Sequence, residues 1–195
     1  MAQAEQRATT IFRVVVGAVA AIAVGQILAA KGLTFAGLRG SVLTALLVMA
    51  AARDAREYRI PNRLVLAVLL SWVVCFALEW IFLPATGTGL SPEDWAAAGR
   101  ALLTSGLGAV ASALPVAIIT WIAVARGGTG FGAGDVKLLF AVGLWFPWKL
   151  DLVALVVACV VGAGLGLVNK VRTGEGKLPF GVGIAVGWWI LCIAA

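Results

Sequence analysis

Arg53-Asp54-Ala55-Arg56-Glu57-Tyr58-Arg59-Ile60-Pro61-Asn62 interrupts a run of membrane-grade sequence, and Gly132-Ala133-Gly134-Asp135-Val136-Lys137 interrupts another. Each break puts one aspartate at the edge of an apolar stretch, where a carboxylate is expensive. In the first break, Pro61 forces Ile60 to be extended and opens a new helix from its first turn, so the chain must turn between two spans. In the second, glycines relax the backbone immediately before an apolar segment begins. The fold follows from what surrounds these breaks.

The chain has 195 residues, 62% of them hydrophobic and only 12% charged, with a mean hydropathy of +1.04. That composition predicts an all-α, polytopic helical membrane bundle. A hydrocarbon core of ~30 Å takes about 20 apolar residues per helix. On that ruler seven spans are predicted, at residues 11–30, 40–53, 63–84, 100–125, 136–148, 151–169 and 179–195. The second and fifth are short, and they carry Asp54 at the end and Asp135 at the start. Met1 to Thr10 is polar with no small-residue cleavage pattern behind it, so the first span is expected to stay as an anchor. Gly162-Ala163-Gly164-Leu165-Gly166 suits close helix approach in lipid. Trp145, Trp148, Trp188 and Trp189, near span ends, are expected in the interfacial belt.

With the amino terminus inside, only Lys31, Arg39, Arg100 and Lys149 of the 15 basic residues fall outside, which obeys the positive-inside rule. The connection from Pro84 to Gly99 holds Glu93 and Asp94 and no base, as an external loop can. Asp54 and Asp135 both then lie on the cytoplasmic side. The net charge of +6 comes from bases scattered at span ends, which predicts membrane lipid and no nucleic acid as a partner.

There is no histidine, and Cys75, Cys159 and Cys192 stand isolated in apolar segments, where they read as small buried hydrophobes. Metal and thiol chemistry lack their ligands, so neither a metal nor a cofactor is expected. No serine has a lysine at helical spacing in an apolar setting, which leaves a Ser-Lys nucleophile without support. The acids remain.

Each aspartate also has an ordinary reading. Asp54 could be an interfacial acid balanced by Arg53 or Arg56, and Asp135 could cap the fifth span. Glu57, three residues from Asp54 and on the same helical side, is its nearest rival. The glycines before Asp135 do not make a nucleotide loop, because no strand precedes them. Together the two acids offer what water attack on a peptide needs, a pair of carboxylates sharing one proton.

The chain resembles the type IV prepilin peptidases, whose patterns are an aspartate followed by a basic stretch and Ile-Pro-Asn, then Gly-x-Gly-Asp with a nearby lysine. Leu178-Pro179-Phe180-Gly181-Val182-Gly183 is similar to the stretch that opens that family's last helix. The resemblance covers about residues 41–195. It divides the chain into residues 1–39, a tail and extra span, and residues 40–195, a six-span core. It implies an aspartyl endopeptidase of the bacterial inner membrane, with Asp54 and Asp135 as the catalytic pair, that cuts the basic leader from prepilins or pseudopilins at the cytoplasmic face. Larger members also methylate the new amino terminus and carry paired Cys-x-x-Cys motifs. With three isolated cysteines this chain is similar to the small, peptidase-only branch serving tight-adherence (Flp) pili. The competing readings are a transporter that relays cations through intramembrane acids, with Glu79 as the third, and an inactive secretion scaffold.

Overall fold

The computed structural model describes residues 2–82, 91–128, 131–174 and 179–194. Among the described residues every regular element is helical: α1 (Ala2–Lys31), α2 (Phe35–Glu57), α3 (Asn62–Ala77) continuing as a π-helical turn (Leu78–Phe82), α4 (Pro92–Ala125), α5 (Ala133–Val142), α6 (Trp148–Thr173) and α7 (Phe180–Ala194). Of these, α1, α2, α3 with its π turn, α4 and α6 are long and apolar enough to cross a membrane. The chain is a multi-pass membrane bundle. α7 has 15 residues and α5 only 10, so the seven apolar segments correspond to seven helices, and the short ones are α5, as expected, and α7 instead of α2.

Local chemistry sets the helix ends. Thr34 caps α2 by accepting from the Gly37 N–H at 3.2 Å. Ser91 and Asp94 form a reciprocal capping box that starts α4 with Pro92 in its first turn. The predicted external loop from Pro84 to Gly99 is therefore already helix from Pro92, while residues 83–90 lie outside those described. Pro61 sits just ahead of α3 as its cap, one position earlier than expected.

α2 continues as helix beyond its apolar stretch. The apolar span read at 40–53 lies within a helix of 23 residues that starts at Phe35 and continues one further turn to Glu57. Arg53 Nη1 reaches Glu57 Oε1 at 2.9 Å on the exposed side, so the charged residues continue the helix as an i,i+4 pair. Tyr58 then ends α2 in the left-handed region at φ 49°, donating its N–H to the Asp54 carbonyl. Leu43, Leu47, Ala50 and Asp54 form one buried stripe of α2. On α7 the matching buried side chains are Phe180, Ile184, Trp188 and Leu191.

Glycine brings α6 and α7 together, with one position of the expected stretch, Gly162, taking part. Gly183 and Gly187 of α7 lie against the backbone carbonyls of Ala158 and Ala154, where any Cβ would collide. Gly162 of the predicted stretch packs on the Phe180 ring, but Gly164 faces open space.

The tryptophans divide. Trp148 is exposed, whereas Trp145 and Trp188 are buried in the core, a correction to their assignment to the interface. Trp188 is there because its indole N–H donates to Asp151 Oδ1 at 2.9 Å. Cys192 is buried, Cys75 is half-buried and Cys159 is exposed, so burial holds fully for only one of the three.

The short α5 leaves residues 143–147 as non-helical backbone between α5 and α6. In lipid such backbone needs internal partners. Arg39 supplies one, donating from Nη2 to the Trp145 carbonyl at 2.8 Å while its Nη1 pairs with Glu79 at 2.9 Å. Gly108 and Gly143 press backbone to backbone beside them.

Candidate active site

Asp54 is 4% exposed, the polar member of an otherwise apolar stripe. Its Oδ2 accepts the backbone N–H of Gly181, in the first turn of α7, at 2.7 Å. A Cβ at Gly181 would lie 2.9 Å from both the Cβ and the Oδ2 of Asp54, so the bond needs a bare backbone at that point. The reading of Asp54 as an acid balanced by arginine is overturned. Arg53 turns to Glu57, and the Arg56 guanidinium stacks 4.2 Å over the Phe12 ring of α1. Glu57, the rival, is the solvated half of an ion pair.

Asp135 stands in the first turn of α5, three residues inside the helix cap at Gly132. It does not cap through an oxygen offered forward, as the sequence suggested. Its Oδ2 reaches back to accept the Gly132 N–H at 3.1 Å. Partial burial raises its pKa to about 6, the negative charge of Asp54 adds to the rise, and the Gly132 N–H opposes it.

Four contacts seat α5 and the residues just before it against the turn after α2 and against α3, α7 and α4. Gly134 lies against Ile60, whose Cβ and carbonyl oxygen would both be 3.2 Å from any side chain placed there. Lys137 Nζ approaches Asn62 Oδ1 at 3.4 Å, joining the two sequence motifs directly. Phe131 meets Phe180 with ring centroids 4.6 Å apart, and its N–H donates to Thr120 of α4. Leu178, which opens the third stretch, lies outside the described residues, as do residues 129 and 130 ahead of the glycine motif.

Asp54 and Asp135 consequently line one cavity of about 560 Å³, with Glu57, Tyr58, Arg59, Ile60, Pro61, Asn62 and the Gly132-Ala133-Gly134 backbone. The cavity holds two acids close enough for the charge of Asp54 to act on Asp135. Among the described residues no group of three His, Cys, Asp or Glu side chains could hold a metal ion. Glu79 is paired with Arg39 next to a separate cavity, which also contains Trp145, so it joins neither aspartate.

Asp151 was not singled out in the sequence. It is fully buried in the first turn of α6, bonded to Trp188. An acid in the first turn of a helix looks like an ordinary dipole partner. Only the apolar run on both sides hinted at burial.

The type IV leader peptidase family matches residues 41–167, a stretch that contains both Asp54 and Asp135. The prepilin leader peptidase/N-methyltransferase of Burkholderia pseudomallei is 35% identical over 116 residues, 57% of this chain and 37% of that protein. The protein of the same name from Pseudomonas aeruginosa is 32% identical over 126 residues, 63% of this chain and 41% of its own length. That of Xanthomonas campestris pv. campestris is 29% identical over 164 residues, 82% of this chain and 51% of its own. The chain thus spans about two fifths to half of these relatives. No solved structure matches. By the extent of the family match, the chain belongs to the type IV leader peptidase family.

Proposed function

We propose that this chain is an intramembrane aspartyl endopeptidase that removes the basic leader of type IV prepilins or pseudopilins, with Asp54 and Asp135 as its catalytic pair. One observation carries the reading: two acids far apart in sequence, on α2 and α5, line the same cavity and lie close enough for the charge of one to act on the other. Paired carboxylates that share a proton are the equipment of metal-free peptide hydrolysis. One takes a proton from water while the other protonates the scissile carbonyl.

In this reading the cavity opens at the cytoplasmic face of a bacterial inner membrane, in keeping with the bias of lysine and arginine. Residues 40–195 form the peptidase core, and residues 1–39 add a tail and a helix packed on α2. The reaction uses no cofactor. The named relatives pair two activities, of which we propose only the peptidase here. The free cysteines lie on α3, α6 and α7, with no Cys-x-x-Cys pair among them.

Co-expression with candidate prepilins tests this. A size shift of the pilin is expected with the parent chain and not with Asp54→Asn or Asp135→Asn, at equal amounts in the membrane. Full cleavage by either variant overturns the catalytic pair. Methylated pilin produced by this chain alone overturns the restriction to peptidase activity.

A further inference from the structure

We propose that Gly181 is a positioning residue that divides the labour of the pair: its N–H holds Asp54 as the ionised base facing water and leaves Asp135 to carry the proton. The inference rests on reading Asp54 and Asp135 as the catalytic pair, and goes on to assign each its role.

The two carboxyls have unlike surroundings. Asp54 is enclosed, and its Oδ2 takes a 2.7 Å bond from an amide that can only donate. Enclosure by itself disfavours a charge on Asp54, and this bond works against that penalty by favouring the ionised form of the acceptor. The donor belongs to the first turn of a 15-residue helix, whose dipole acts in the same direction. Asp135 has a longer bond of 3.1 Å, to Gly132, in a more open position. Two neighbouring carboxylates do not both ionise readily, and the one with the weaker support keeps the proton. The rise of Asp135 to about 6 agrees with that order.

The other charged groups around the cavity leave this asymmetry in place. Glu57 is committed to Arg53, Lys137 points to Asn62, and Arg59 sits on the rim. Arg63 follows Asn62 in the first turn of α3 and is exposed. α7 has no charged residue in its described length, so its contribution at Asp54 is the amide and the dipole. Gly181 is the residue type this requires, because a side chain would occupy the space of the carboxyl it holds.

The step then balances. Water adds its oxygen to the scissile carbonyl carbon, its proton passes to Asp54, and the proton of Asp135 moves to the carbonyl oxygen, giving a neutral gem-diol. Asp54 next gives its proton to the amide nitrogen and the C–N bond breaks. One hydroxyl proton returns to Asp135, leaving a carboxylic acid, an amine and the original pair.

Infrared titration of the carboxyl groups tests the assignment without requiring turnover. In the Asp135→Asn protein the remaining Asp54 is expected to protonate at lower pH than Asp135 does in the Asp54→Asn protein. Adding Gly181→Ala should raise the titration of Asp54 and leave that of Asp135 unmoved. In the otherwise unchanged chain, Gly181→Ala should lower kcat by about 10- to 100-fold, the loss of one charge-assisted bond. KM should hold, and the acidic limb of the pH profile should move upward. Asp54 titrating above Asp135 overturns the proposal, as does a Gly181→Ala protein whose kcat falls with both limbs unmoved. Where Gly181→Ala does not accumulate, the order of titration in the two aspartate variants decides. If no prepilin is cut at all, the peptidase reading fails while the titration still judges this one.

Discussion

The indole N–H of Trp188 donates to Asp151 Oδ1 across 2.9 Å, with both side chains 0% exposed. The bond ties the first turn of α6 to the middle of α7, beside the non-helical backbone that follows α5. Trp188→Phe removes the donor and strands a buried acceptor, which costs about 1–3 kcal/mol. Lower thermal stability in detergent is expected, with the cleavage chemistry of the surviving folded protein unchanged. An unchanged melting temperature would show that the bond contributes nothing net.

The pH dependence of cleavage follows from Asp135. Its folded pKa of about 6 lies above the ordinary 3.8, so the native protein binds this proton more tightly than the unfolded chain. The associated stabilisation is fully present below the unfolded value and is lost as pH rises through about 6. If Asp135 is the acid, kcat should fall about tenfold per pH unit above that value. A profile flat from pH ~5 to ~8 would remove Asp135 from the role of proton donor.

Gly134 is expected to tolerate little. An alanine there must push Ile60 aside by a few tenths of an ångström, and Gly134→Val must displace the Ile60 backbone itself. Misplacing a catalytic group by about 1 Å costs on the order of 100-fold in rate. Gly134→Val should therefore lose about that much activity while inserting normally. Equal kcat in the parent and Gly134→Val proteins would separate the Ile60 contact from catalysis.

Arg39 offers a test of the transporter reading. It bonds both Glu79 and the Trp145 carbonyl, so Arg39→Ala should destabilise the bundle by about 1–3 kcal/mol. Glu79→Gln keeps an acceptor for Arg39 and should leave pilin cleavage within about twofold, since Glu79 lines a different cavity. An ion flux through the chain that vanished in Glu79→Gln would favour transport instead.

Much of this arrangement is legible in the sequence. Hydropathy finds every helix, because apolar length is what a bilayer demands, and the two motifs mark Asp54 and Asp135 before any packing is seen. The end of α2 is not settled by the sequence, because Arg53, Arg56 and Glu57 suit a polar loop as well as a further helical turn. In three dimensions they occupy the exposed side of one more helical turn, while Asp54 stays on the buried side. Trp188 and Asp151 are misread for a related reason: each is ordinary near a helix end, and only their partnership, 37 residues apart in sequence, makes burial acceptable. Gly181 is visible in the sequence as part of the Pro179-Phe180-Gly181 stretch. That its N–H meets Asp54 is a property of tertiary packing, which spacing along the chain does not encode.

The stripe Leu43, Leu47, Ala50 and Asp54 makes the helix itself a ruler for the chemistry. Each residue of an α-helix turns its side chain by about 100° relative to the last. One residue inserted between Ala50 and Asp54 would swing the carboxyl away from Gly181 and into the angular sector now held by Ala55, between those of Ala51 and Ala52. Packing and chemistry share one phase, so length changes in this part of α2 are tolerable only near whole turns, whereas the turn at 58–61 bears no such periodic constraint.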